Sequence, residues 1–245
     1  MLVEKNVETH LQHELNELKS ELLRMAGLVE RAISNAIGAL VKRDTPLAEK
    51  TIREDVRIND LELSIDDRSL RLLALHQPMA ADLRLITSAM RINIELERIG
   101  DLAVNIAERV ISLNQEPQLK PYIDIPEMAE ITQNMLRDVL NAFVSGDAAL
   151  ARSVCERDDR VDGLNDQVFR ELLTYMMADP KTITRAVHLL IVSRYLERIA
   201  DHATNIAEGV IFMAKALVIK HHADTKGEKA DEMKLNGPKG EPRIA

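Results

Sequence analysis

Aromatic residues are scarce in this sequence of 245 residues, which has no tryptophan, three tyrosines and three phenylalanines. Hydrophobic residues nevertheless make up 46% of the chain, so there is enough apolar material to form a core. β-Sandwiches rely on aromatic and β-branched pairs between strands, whereas helical bundles pack mainly Leu, Ile, Ala and Val. The composition therefore argues against a β-rich fold and predicts an all-α protein.

Several other features are absent. A single cysteine, Cys155, excludes an internal disulfide and favours a reducing, cytoplasmic location, and we expect it to be a small buried apolar residue. No apolar run reaches the roughly 18 residues of a membrane span. The first residues, MLVEKNVETH, contain no hydrophobic leader segment. The net charge of −8 argues against a nucleic-acid-binding protein, which would present a basic face.

The apolar residues that are present recur every three or four positions, the pattern of long helices in a bundle. Turn signals at Pro46, Pro78, Gly146 and Pro180 separate these runs. Six helices are predicted, over about residues 11–43, 46–75, 79–111, 128–144, 148–177 and 182–220.

The third and sixth predicted helices contain the same segment. Residues 96–111 read LERIGDLAVNIAERVI and residues 196–211 read LERIADHATNIAEGVI, identical at twelve of sixteen positions. The sequence therefore predicts two tandem, pseudo-symmetric three-helix bundles rather than a solenoid, which would need more copies. The predicted boundaries are a first bundle over 8–114, a Pro-rich linker over 115–126, a second bundle over 127–221, and a disordered C-terminal tail over 222–245.

Each repeated segment carries four polar residues at positions i, i+4, i+8 and i+11, within an arc of roughly 80° that lies away from the apolar stripe. In the third helix these are Glu97, Asp101, Asn105 and Glu108, and in the sixth they are Glu197, Asp201, Asn205 and Glu208. The second helix of each bundle adds one pair of oxygen-bearing residues at i, i+4, namely Asp55 with Asn59 and Asp158 with Asp162.

A charged stripe on a helix is usually a solvated face. Here, however, acid follows acid at i+4 without the lysine that would relieve the repulsion, and both copies keep all four residues. Carboxylate and amide oxygens are the ligands of hard cations such as Mg²⁺, Ca²⁺ and Mn²⁺. We therefore predict metal binding, with the identity of the ion open among Mg, Mn, Fe and Zn as well. The predicted ligands are Glu97, Asp101, Asn105, Asp55 and Asn59 in the first bundle, and Glu197, Asp201, Asn205, Asp158 and Asp162 in the second.

Stronger catalytic signals are missing. The sequence has no Glu-x-x-His pair, no HExxH, no phosphate-binding G-x-x-x-x-G-K-[S/T] and no G-x-S-x-G. We therefore expect a protein that is not an enzyme. Two alternatives stay open: a carboxylate-metal enzyme built on a helical bundle, and a structural adaptor that binds no metal.

The paired LERI-x-D-x-A-x-N-I-A-E segments closely resemble the PhoU family, which comprises accessory regulators of bacterial high-affinity phosphate transport. The family hallmark is a Glu-or-Asp-x-x-x-Asp motif, once per three-helix bundle. It is present here as Glu97 with Asp101 and again as Glu197 with Asp201. The resemblance extends over about residues 8–220 and leaves only the tail outside.

This resemblance implies a homodimer that binds metal ions or metal clusters on its surface through the paired acidic motifs. It also implies a negative regulator of phosphate uptake and of the phosphate-starvation response. Such a regulator would link the ATPase subunit of the phosphate ABC transporter to a sensor histidine kinase, as a cytoplasmic protein peripheral to the inner-membrane transporter complex. Asn59, where the second copy has Asp162, is expected to weaken the charge of the first site.

Overall fold

The computed structural model describes residues 2–216, and within this range all the regular structure is helical. The eight α-helices of this range are α1 Leu2–Lys42, α2 Thr45–Glu54, α3 Val56–His76, α4 Ala80–Leu113, α5 Asp124–Ser145, α6 Ala148–Cys155, α7 Asp158–Ala178 and α8 Ile183–Lys215. A short 3-10 helix, Pro180–Thr182, precedes α8.

These helices confirm the predicted fold class of two tandem three-helix bundles. The first bundle consists of α1, α2–α3 and α4, and the second consists of α5, α6–α7 and α8. The second helix of each bundle was predicted to be continuous, but a turn divides it. At the first turn the Ile58 amide donates to the Asp55 carbonyl at 2.8 Å, and at the second the Arg160 amide donates to the Arg157 carbonyl at 3.1 Å. These tighter i→i+3 bonds interrupt the α-helical pattern in both copies.

Short polar side chains begin the helices that follow sharp turns. The Asp44 carboxylate accepts from the Leu47 amide at 2.9 Å, and the Asp147 carboxylate accepts from the Leu150 amide at 3.0 Å. Both satisfy backbone donors that the first turn of a helix leaves unpaired. Gly146 ends α5 with φ of 69°, the left-handed region that favours glycine.

The segment between α4 and α5 is shorter than predicted and is tightly held. Because α5 begins at Asp124, the last three residues of the predicted linker are helical. Lys120 is only 6% exposed, and its ammonium forms ion pairs with Asp124, at 3.7 Å, and with Glu171 of α7. At the other end, the Arg43 guanidinium donates to the Asn114 carbonyl at 3.0 Å. The linker is therefore packed against the helices it connects.

The two bundles share one core because α4 and α8 pack against each other along their lengths in antiparallel directions. Arg84 Nε donates to the Met213 carbonyl at 3.4 Å, and Ser88 Oγ donates to the Gly209 carbonyl at 3.4 Å. The predicted end of the sixth helix at Lys220 and the predicted tail over 222–245 lie outside the described residues. Within residues 2–216 we found no helix that combines the length and the apolarity of a membrane span.

Cys155 lies at the end of α6, where it is half-buried and packs against the core. Burial raises the pKa of its thiol to about 11, and the negative charge of Glu208 acts in the same direction. The thiol is therefore protonated at neutral pH, and a protonated thiol is a poor nucleophile and metal ligand.

Candidate metal-binding clusters

The five ligands predicted for the second bundle, four carboxylates and Asn205, line one groove between α7 and α8. Asp158 and Asp162 come from α7, Glu197 and Asp201 come from α8, and the groove has a volume of about 430 Å³. We call these four residues together with Thr204, which also lines the groove, the second cluster.

The carboxylates of the second cluster interact electrostatically. Burial raises the pKa of Asp162, and the negative charge of Asp201 raises it further. Burial also raises the pKa of Glu197; the charge of Arg194 opposes this rise, whereas Asp162 and Asp201 add to it. Acidic groups that raise one another's pKa are close enough to repel, and a cation between them would remove that repulsion.

Thr204 was not predicted from the sequence. It is 2% exposed, and its buried hydroxyl oxygen has no hydrogen-bond partner. Leaving such a group unsatisfied costs about 1–3 kcal/mol. A hydroxyl oxygen is also a suitable ligand for a hard cation, so the donor set of the second cluster fits such an ion. The sequence did contain a sign of this residue: Thr204 lies three residues after Asp201, and the equivalent residue in the first copy is the apolar Val104.

The first bundle contains a corresponding group of residues, which we call the first cluster: Asp55, Asn59, Glu62, Glu97 and Asp101. Burial raises the pKa of Glu97, and the charges of Asp101 and Glu62 raise it further. Burial also raises the pKa of Asp55, although Asn59 opposes this by donating from Nδ2 to Asp55 Oδ2 at 3.1 Å. The other oxygen, Asp55 Oδ1, is buried without a hydrogen-bond partner, so it too is open to a cation.

Glu62 compensates for the loss of charge that was expected at Asn59. It lies three residues after Asn59 on the same face of α3, and its counterpart in the second copy is Asn165. The two clusters therefore contain four acids each: Asp55, Glu62, Glu97 and Asp101 in the first, and Asp158, Asp162, Glu197 and Asp201 in the second. Glu62 was missed although it continues the i, i+4, i+7 spacing of Asp55 and Asn59.

The two predicted asparagine ligands differ from the carboxylates. Asn205 lines the edge of the second groove, but its Nδ2 donates to Glu95 Oε2 on α4 at 3.2 Å. The same carboxylate oxygen lies 2.6 Å from His202 Nδ1, so this polar contact joins α4 to α8. Asn105 is half-buried, and no hydrogen bond joins it to the first cluster within the described part of the chain.

Among residues 2–216, no three His, Cys, Asp or Glu side chains converge closely enough to enclose an ion. Within the second cluster, one reason is that the Arg194 guanidinium donates to both carboxylate oxygens of Glu197. Convergence on an ion therefore requires side-chain rotation, including release of Glu197 from Arg194.

These features define a class of protein: a tandem pair of three-helix bundles with one cluster of carboxylates on the second and third helices of each bundle. Comparison with known proteins identifies the family within this class. Residues 22–110 and 125–210 both match the PhoU domain, so the chain contains the domain twice and belongs to the PhoU family.

The similarity extends over nearly the whole length of the relatives. The chain is 48% identical to a phosphate-specific transport system accessory protein PhoU homolog from Aquifex aeolicus, over 88% of this chain and 98% of that protein. It is 42% identical to one from Pseudomonas putida, over 92% of this chain and 91% of that protein. The names of these relatives describe accessory proteins rather than enzymes, which confirms the expectation that the chain is not an enzyme.

Solved structures show the same fold. The crystal structure of PhoU from Pseudomonas aeruginosa superposes with a TM-score of 0.81 at 42% identity, covering 84% of this chain and 99% of that one. The phosphate transport system regulatory protein PhoU from Streptococcus pneumoniae superposes with a TM-score of 0.79 at 30% identity, covering 86% of this chain and 99% of that one.

Proposed function

We propose that this chain is a non-enzymatic accessory protein of a phosphate-specific transport system, which represses phosphate uptake and the phosphate-starvation response when phosphate is plentiful. The observation that carries the proposal is the match to accessory PhoU homologs at 42–48% identity over about nine-tenths of the chain. The name of the structurally similar Streptococcus pneumoniae protein, a regulatory protein of phosphate transport, supports the regulatory part.

The protein would act as an adaptor between the ATPase subunit of the phosphate transporter and a sensor histidine kinase. Support comes from large apolar side chains exposed where the second and third helices of each bundle meet. Leu75 and Met79 are 76% and 81% exposed in the first bundle, and Met177 is 78% exposed in the second. Such side chains are suited to contacts with partner proteins. We also propose a homodimer and a cytoplasmic location at the transporter complex, on the strength of the family resemblance.

The two clusters would bind metal ions in this function. Asp158, Asp162, Glu197, Asp201 and Thr204 would hold an ion in the second bundle, and the first cluster would hold one in the first. The bound cation would supply positive charge that offsets the repulsion among the acids and links the second helix of each bundle to the third. Ion binding would thus stiffen the contact between these two helices in each bundle.

The test is gene deletion followed by complementation. Without the gene, phosphate-starvation genes should stay active in high phosphate, and the wild-type chain should restore repression. A variant with Glu97→Ala, Asp101→Ala, Glu197→Ala and Asp201→Ala should lose most of its bound metal by elemental analysis and regulate poorly. The matched control removes four exposed acids outside the clusters: Glu49→Ala, Asp67→Ala, Glu127→Ala and Glu130→Ala.

Two outcomes would count against this proposal in different ways. Normal repression after gene deletion would contradict the regulatory function itself. Equal metal content and normal repression in the cluster variant would leave the regulator in place without metal. That metal-free adaptor is the second candidate, and it is favoured by the lack of three converging ligand side chains within residues 2–216. Co-purification of the ATPase subunit and the kinase with the chain, with and without phosphate, tests the adaptor role directly.

A further inference from the structure

Arg194 lies beside the second cluster, on α8 one turn before Glu197. Its guanidinium donates to both oxygens of the Glu197 carboxylate, whose side chain is only 13% exposed. The positive charge of Arg194 also acts on Asp162 across the groove, where it opposes the rise in the pKa of that carboxyl. Arg194, whose side chain is 62% exposed, is thus a positive charge that acts on acids of both helices.

Within residues 2–216, no guanidinium forms a hydrogen bond or ion pair with an acid of the first cluster. The position that corresponds to Arg194 is Ile94, which is 46% exposed. Arg98, which follows Glu97 in sequence, lies 3.9 Å from Glu95, the carboxylate that contacts α8. The charge of Arg98 opposes the rise in the pKa of Glu97, but Arg98 forms no ion pair with that carboxylate. Since each cluster has four acids, the clusters differ in this hydrogen-bonded cation and not in the number of carboxylates.

The Nη1 group of Arg194 donates to both oxygens of Glu197, so it competes with a divalent cation for the same carboxylate oxygens. Building on the proposed metal-binding function, we infer that Arg194 is an internal competitor that keeps the second cluster closed to divalent cations until it releases Glu197. The first cluster therefore binds a cation more tightly, and the second fills at higher concentration. The unpaired hydroxyl of Thr204 is an oxygen ligand that the first cluster lacks, so the second cluster becomes a strong site once Arg194 is displaced.

The test exchanges the two side chains between the copies. Mn²⁺ is titrated into the full-length protein while free Mn²⁺ is followed by electron paramagnetic resonance. A Glu97→Gln, Asp101→Asn background reports on the second cluster alone, and a Glu197→Gln, Asp201→Asn background reports on the first. In the first of these backgrounds Arg194→Ile should tighten Mn²⁺ binding about threefold to tenfold, the range for removing a partly exposed ion pair. In the second, Ile94→Arg should weaken binding by a similar factor.

The control is Arg71→Ala, which removes the same charge from an exposed position on α3 and should leave both affinities unchanged. Unchanged or weaker binding in the Arg194→Ile variant would overturn the competitor role while leaving the metal sites in place. If the wild-type chain and the variant lacking all four motif acids bind Mn²⁺ equally, then the proposed metal-binding function fails, and the inference fails with it.

Discussion

The two bundles have the same architecture and place four acids each in equivalent clusters, yet they differ at almost every contact around those clusters. In the first cluster Glu62 supplies the charge that Asn59 lacks. Ile58 packs against Gly100 in the first bundle, and the corresponding pair in the second bundle is Val161 and Ala200. At the contact between bundles, Glu95 and His202 correspond to Tyr195 and Leu102. The differences therefore come in compensating pairs. After the duplication, the charge and volume of each cluster have been maintained jointly by several residues rather than by each residue separately.

The largest effect on stability is expected from breaking the contact between Glu95 and His202, which is present on only one side of the α4–α8 interface. Burial would raise the pKa of Glu95, but the hydrogen bonds from His202 and Asn205 outweigh this and lower the pKa below its usual 4.5. The Glu95 side chain is 16% exposed and that of His202 is 11% exposed. Glu95→Ala leaves this histidine buried without its partner and should therefore cost about 2 kcal/mol in urea unfolding.

The pH dependence of unfolding separates the charge of Glu95 from its packing. Because the pKa of Glu95 is lowered by folding, its stabilisation is fully present above pH 4.5 and is lost as the pH falls through the lower value. Between about pH 5 and pH 3, Glu95→Gln should therefore lose less stability than wild type. Parallel curves for the two proteins would contradict the lowered pKa.

An intermediate effect on stability is expected from adding a methyl group at Gly100. A Cβ there would lie 3.1 Å from Ile58 Cδ1, an atom that Val161, the counterpart of Ile58, does not have. Overpacking costs about 1–3 kcal/mol, and replacing glycine by alanine in a helix returns about 1 kcal/mol. Gly100→Ala should thus destabilise the protein by about 1 kcal/mol. The same change in an Ile58→Val background should cost less, because Ile58→Val removes the contact with Cδ1 and leaves only the 3.3 Å contact with Cγ2, which valine keeps.

The control for the Gly100→Ala and Ile58→Val experiment is Gly209→Ala, since a Cβ at Gly209 would meet no neighbouring side chain or helix within 4 Å. It should show only the stabilisation that comes from helix propensity. If Gly100→Ala costs the same in the wild-type chain and in the Ile58→Val background, the two positions are not coupled and the pairwise compensation is wrong for this contact.

The smallest effect on stability is expected from removing one negative charge from a cluster. The pKa of Glu97 is raised, mainly by burial, so stability is lost as the pH rises from 4.5 through the raised value. In metal-free protein at neutral pH, Glu97→Gln should stabilise by a few tenths of a kcal/mol, the size of one like-charge contact. Glu197→Gln should give no such gain, because it also removes the partner of Arg194. Thermal unfolding in a chelator measures both, and equal shifts would contradict the difference between the clusters.

The sequence was sufficient to predict the architecture because helix periodicity and an offset of one hundred residues are both local patterns. It was also sufficient to place the four motif acids. The turns that divide the second helix of each bundle could not be predicted, since neither Asp55 nor Arg157 is a helix breaker like proline or glycine. The partner of His202 could not be predicted either, because Glu95 reaches it only through the way α4 crosses α8. Arg194 had a visible spacing to Glu197, but only the structure shows that its guanidinium points to that carboxylate.

The antiparallel packing of α4 against α8 has a consequence for the history of the chain. Two copies of one unit that meet through equivalent helices running in opposite directions have the geometry of a two-fold homodimer interface. A single unit on its own would expose the buried face that α4 and α8 now cover, so it would be stable only as a pair. The linker then converts an association that depends on concentration into one that does not. Once the two units share a chain, each can change separately, as the Glu95–His202 contact shows on one side of the interface alone.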